Sequence, residues 1–91
     1  MQATGKTGAL RHGYQTGAAL GAWRLGPGPR GLELSAHVTS RSEYWLAQWP
    51  VDAVLDVGPS QQWTWRDVRV EPDGADAVRV FLAGDPERSR R

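Results

Sequence analysis

Cysteine is absent from this chain, which excludes disulfides, thiol catalysis and zinc sites of the CxxC kind. Long apolar runs are missing as well. None approaches the roughly 20 residues that a membrane span requires. No charged-then-apolar leader follows Met1, so the expected setting is the cytoplasm, or a particle assembled there, without a membrane partner. Acids are missing from residues 1–32, where Lys6, Arg11, Arg24 and Arg30 stand alone, and Glu33 is the first carboxylate. From Glu33 onward all 10 acids meet 7 arginines, so the formal charge of +1 hides a basic start and a body near −3. Histidine is scarce too, and a metal site would need His12 and His37 to meet. No metal and no cofactor is expected.

What is present is tryptophan, five in 91 residues beside a single phenylalanine. A charged fraction of 23% and an apolar fraction of 40% lie near globular norms, which argues for one folded domain. Residues 1–18, with recurrent Thr-Gly pairs, read as a flexible basic arm because glycine loses the most entropy on ordering. Gly13, Gly17 and Gly21 would suit close helix packing, but no apolar 20-mer surrounds them. Residues 19–84 read as a single β domain and 85–91 as a charged, solvated tail.

Within that domain the pattern is one of strands. "LGAWRL" (20–25) ends at "GPGPRG", where proline and glycine force a turn. "GLELSAHVT" (31–39) alternates, with Leu32, Leu34, Ala36 and Val38 opposite Glu33, Ser35, His37 and Thr39. "EYWLAQW" (43–49) places Trp45, Ala47 and Trp49 on one face, Tyr44 and Leu46 on the other, before Pro50 breaks the ladder. "VDAVLDV" (51–57) groups Val51, Ala53, Leu55 and Val57. Strands over 61–71 and 77–84 follow, joined through "PDGAD", with Asp73-Gly74 suited to a hairpin turn. Six short strands without a convincing helix predict an all-β fold, a five- to six-stranded antiparallel barrel of SH3-like or Greek-key type, or a compact sandwich.

The chemistry-bearing residues form few constellations. "TGKT" (4–7) lacks the upstream glycine and strand that a phosphate-binding loop needs. Ser35 and His37 share a strand face, but a nucleophile–base pair also needs an orienting third group, oxyanion donors and a water-excluding pocket. Asp52 and Asp56 stand roughly 13 Å apart along a strand, too far for a carboxylate pair. Glu71, Asp73 and Asp76 crowd a turn without the spacing of a calcium loop. The expectation is a protein that is not an enzyme and takes no small-molecule substrate.

The sharpest puzzle lies in "QQWTWRDVRVE". In a regular strand Trp63 and Trp65 share a face with Asp67, Arg69 and Glu71, while Val68 and Val70 face the other way. A β-bulge at Arg66-Asp67 would put both tryptophans and both valines into one core. A regular strand would instead display Trp63, Trp65 and Arg69, with Arg66 at the edge. On the second reading the chain is a non-catalytic interaction module, an adaptor or assembly subunit. It would dock a protein partner, or another copy of itself in a larger assembly, through Trp63, Trp65, Arg66, Arg69, Trp45 and Trp49, because Trp and Arg dominate interface hot spots. Lys6, Arg11, His12 and Tyr14 would add contacts from the arm. The alternative is a single-stranded nucleic acid stacked on the indoles, for which the acidic body is a poor electrostatic footprint.

Overall fold

The computed structural model describes residues 1–42 and 51–90. Within them the chain forms eight strands: β1 (Ala3–Gly5), β2 (Gly8–His12), β3 (Gln15–Gly28), β4 (Gly31–Arg41), β5 (Val51–Val57), β6 (Gln61–Pro72), β7 (Ala77–Leu82) and β8 (Glu87–Arg90). All pairings are antiparallel. The order β3-β2-β5-β6-β7-β4 closes on itself through a β3–β4 pairing, giving a six-stranded barrel, with β1 added beside β3 and β8 beside β6. Closure pairs strand edges that would otherwise template aggregation. The barrel is the expected fold class. The strand read over 43–49, with Tyr44, Trp45 and Trp49, lies outside the described residues.

The expectation of a flexible arm over residues 1–18 is corrected, because β1, β2 and the start of β3 are woven into the sheet. Glycine and threonine there answer to geometry rather than to disorder. Gly13 has φ +63° at the first central position of the two-residue β2–β3 turn, the requirement of a type II′ hairpin. Gly5 lies against the Trp23 indole so closely that a Cβ could not fit between them. Part of the tail is ordered too: residues 87–90 pair with β6 while their side chains remain exposed.

Alternation in β4 and β5 is as the sequence implies. Leu34, Ala36 and Val38 are buried between exposed Ser35, His37 and Thr39, and Val51, Ala53 and Leu55 enter the same core. That core also takes Leu10, Leu20, Trp23, Leu25, Trp65, Val68, Val70, Val78, Val80 and Leu82. Burying a large apolar side chain stabilises by about 1.5–3 kcal/mol, so the barrel interior supplies the dominant stabilising contribution.

Both long strands change parity once, and each does so beside a tryptophan. In β3 the inward residues run Ala18, Leu20, then Trp23 and Leu25, with a register irregularity between Leu20 and Trp23. In β6 they run Trp63, Trp65, then Val68 and Val70, with the irregularity opposite Asp52. Each extra residue bends its strand and raises its twist, as a small barrel needs. Each long strand is also flanked on one edge by two collinear short strands, β1 and β2 along β3, β8 and β7 along β6.

Candidate functional site

The parity puzzle is settled by a bulge at Arg66-Asp67. Val51 pairs with Val68 and Ala53 with Trp65, so Asp52 alone opposes two residues. Asp67 sits at φ +53°, a left-handed conformation that Asp tolerates better than bulky or β-branched residues. Its backbone N–H donates to Asp52 Oδ1 at 3.1 Å, replacing the ladder bond that the bulge interrupts. Arg66 then points outward and bridges two strands. It donates to Asp52 Oδ2 at 3.0 Å and to Glu87 Oε2 at 3.1 Å, tying β5 to β8 across β6. The hydrogen bond and charge of Glu87, followed by those of Asp52, push the Arg66 guanidinium up from its ordinary value.

This bulge overturns the assignment of Trp65 to a docking surface. Trp65 is 2% exposed, and its Nε1–H donates to the Gly84 carbonyl at 3.2 Å in the gap between β7 and β8. Trp23 is sealed likewise at 3% exposure, its Nε1–H donating to the Thr7 carbonyl at 2.8 Å in the gap between β1 and β2. A buried indole needs such a partner, and each gap provides one from a backbone carbonyl.

Trp63 stands differently. It packs edge-to-face on Trp65, with ring centroids 6.3 Å apart and planes at 83°, yet remains only partly buried. The Arg88 guanidinium lies 5.4 Å from its ring centroid, directly across the β6–β8 pairing. Its Nε1 is buried with no hydrogen-bond partner, a cost of about 1–3 kcal/mol by the usual measure of an unsatisfied donor. β8 covers this corner, and among the described residues only one of its edges is paired, to Gln61–Thr64 of β6. Edge strand, cation and half-covered indole therefore meet in one place. No part of that meeting is visible in the spacing of "ERSR", because it depends on which strand receives the tail.

The remaining candidates separate. Arg69 is exposed and pairs with Glu71 at 3.5 Å on the outer face of β6, away from the Trp63 corner. Among the arm residues, Lys6 lies in the break between β1 and β2, Arg11 and His12 end β2, and Tyr14 occupies the hairpin tip at 102% exposure. They do not converge. Trp45 and Trp49 lie outside the described residues. Ser35 and His37 are both exposed and line an open groove of about 690 Å³ with Arg24, Lys6 and Thr4. Asp52 and Asp56 serve separate contacts, the first with Arg66 and the second accepting from Thr7 Oγ1 at 2.8 Å and Gln62 Nε2 at 2.9 Å. Among the described residues no three His, Cys, Asp or Glu side chains gather as a metal site would need, and no helix is long and apolar enough to cross a membrane.

Comparison of the chain with protein-family models, with curated proteins and with solved structures finds no match in any of the three.

Proposed function

We propose that the chain is a non-catalytic interaction module, an adaptor or assembly subunit that docks a protein partner along the free edge of β8. The carrying observation is that, among the described residues, β8 is paired on one side only, directly over the half-buried Trp63. An extended partner segment adding to that edge would gain main-chain hydrogen bonds, the mode by which strands join exposed sheet edges. Arg88 and Arg90 fall opposite Trp63 and Gln61, so both belong to one face of the strand and favour an acidic segment. A partner that draws Arg88 aside would uncover the indole and offer its N–H an acceptor, adding a hot-spot contact. This moves the docking surface from a face of paired tryptophans to one edge and one ring.

The nucleic-acid alternative loses ground here. Stacking requires accessible rings, and two of the three described indoles are sealed.

The test compares the intact chain with Arg88→Glu and with a chain ending at Ala83, using hydrogen–deuterium exchange on the complex with whichever protein is captured from the native host. Slowed exchange at residues 87–90, lost binding in both variants and an unchanged fold of Arg88→Glu support the proposal. Binding that survives both changes, or protection confined elsewhere, ends it. A steep, salt-sensitive quench of tryptophan emission by a single-stranded oligonucleotide would favour the alternative instead.

A further inference from the structure

Strands β1, β3 and β4 run side by side, with Thr4 paired to Arg24 and Arg24 paired to Ser35. Side chains at such cross-strand positions on one face have Cβ atoms roughly 4.5–5.5 Å apart, so two hydroxyls flank the Arg24 stem. Lys6 and His37 stand at the same end of the row, and these five residues line the groove of about 690 Å³ noted above. That volume falls in the range of small-molecule sites.

The charges in the groove differ from those around it. Arg30 and Arg69 each meet Glu71 at 3.5 Å, Arg79 meets Asp73 at 3.9 Å, and Arg66 meets Asp52 and Glu87. Arg24 and Lys6 make no ion pair, and the Thr4 and Ser35 hydroxyls make no hydrogen bond, among the described residues. The groove's one carboxylate, Asp73, is the one already engaged by Arg79. Unspent cations in a concavity focus positive potential, and a guanidinium between hydroxyl donors matches the oxygens of a tetrahedral anion.

We propose that this groove binds a small phosphate-bearing anion, with Arg24 and Lys6 supplying charge and Thr4, Ser35 and His37 supplying neutral donors. A polynucleotide is the less suited source of phosphate, because the indole lining the groove, Trp23, is 3% exposed and offers no face for a base to stack on. The inference is independent of docking at β8.

The experiment titrates the full chain with inorganic phosphate and with adenosine monophosphate, reading amide shifts by NMR. Saturable changes centred on residues 4–6, 24 and 35–37 are expected. Arg24→Gln and Lys6→Gln should each weaken binding about tenfold, the usual consequence of losing one charge-assisted contact, while their melting temperatures stay near that of the parent. Arg69→Gln, a paired arginine outside the groove, should bind as the parent does. Non-saturating shifts spread over every arginine, or equal weakening by Arg69→Gln, would overturn the proposal. So would a single-stranded oligonucleotide binding the groove more tightly than the monophosphate at matched ionic strength.

Discussion

The two long strands, β3 and β6, meet the same architectural demand by different chemistry. Each must bend through a barrel wall, each changes parity once, and each sends a tryptophan into a gap between two short flanking strands. Around Trp23 the solution is steric. Gly21 lets the bend approach Thr39, Gly5 lets β1 lie on the indole, and the Thr7 carbonyl accepts from both Trp23 Nε1 and the Asp56 backbone N–H, the latter at 3.2 Å. Around Trp65 it is electrostatic. Asp52 receives the displaced backbone N–H of Asp67, and Arg66 links Asp52 to Glu87 at the start of β8. Glycine-based packing is insensitive to salt, whereas exposed ion pairs are screened and contribute little each. The β1 side is therefore closed by packing, and the β8 side by exposed ion pairs that salt weakens.

The largest effects should come from the tryptophans themselves. Trp23→Ala and Trp65→Ala are each expected to cost about 3–5 kcal/mol in denaturant unfolding, the range for an aromatic removed from a packed core. If Trp65→Ala cost under about 1 kcal/mol, the two strands would not be equivalent. Gly5→Val comes next. Its side chain must displace the Trp23 ring or lift β1, with a loss of about 1–3 kcal/mol and faster amide exchange over residues 3–5. A parallel test at the second bulge contrasts Asp67→Val with Asp67→Gly. The left-handed φ makes the valine chain less stable by about 1–2 kcal/mol, measured as the difference between their unfolding free energies. The smallest effect is that of Arg66→Ala. Global stability should fall by less than about 1 kcal/mol, and calorimetry in raised salt should narrow even that difference. Exchange at residues 87–90 should nonetheless quicken, because Glu87 loses the contact that anchors β8.

Legibility in the sequence followed the range of the interaction. Strand β5 emerges at its observed limits, Val51–Val57, because Val51, Ala53, Leu55 and Val57 alternate along it between Pro50 and the Gly58-Pro59 turn. Strand β3 was read only over 20–25, since the bulge near Gly21 and Ala22 breaks the alternation and glycine carries no hydropathy signal. The three-residue spacing of Leu20 and Trp23 was the available clue, the same spacing that separates Trp65 from Val68. In "QQWTWRDVRVE" the conflict of parity was plain, and Asp67 offered a residue able to take positive φ. Choosing between bulge and exposed strand required the position of Asp52, which is 15 residues away. Trp65 was misplaced as a docking residue because that choice was open. The meeting of Trp63 with Arg88 is invisible in the sequence, because "ERSR" carries no apolar alternation to mark it as a strand.

From composition and periodicity alone, the chain determined that it would be all β and would turn at glycine and proline, because these depend on neighbours within one strand or one turn. Only the tertiary structure decided which gaps Trp23 and Trp65 fill and, among the described residues, which strand edges and which cations have partners. Those outcomes rest on closure of the barrel, which brings together strands distant in sequence. No local pattern encodes the register at which distant strands meet.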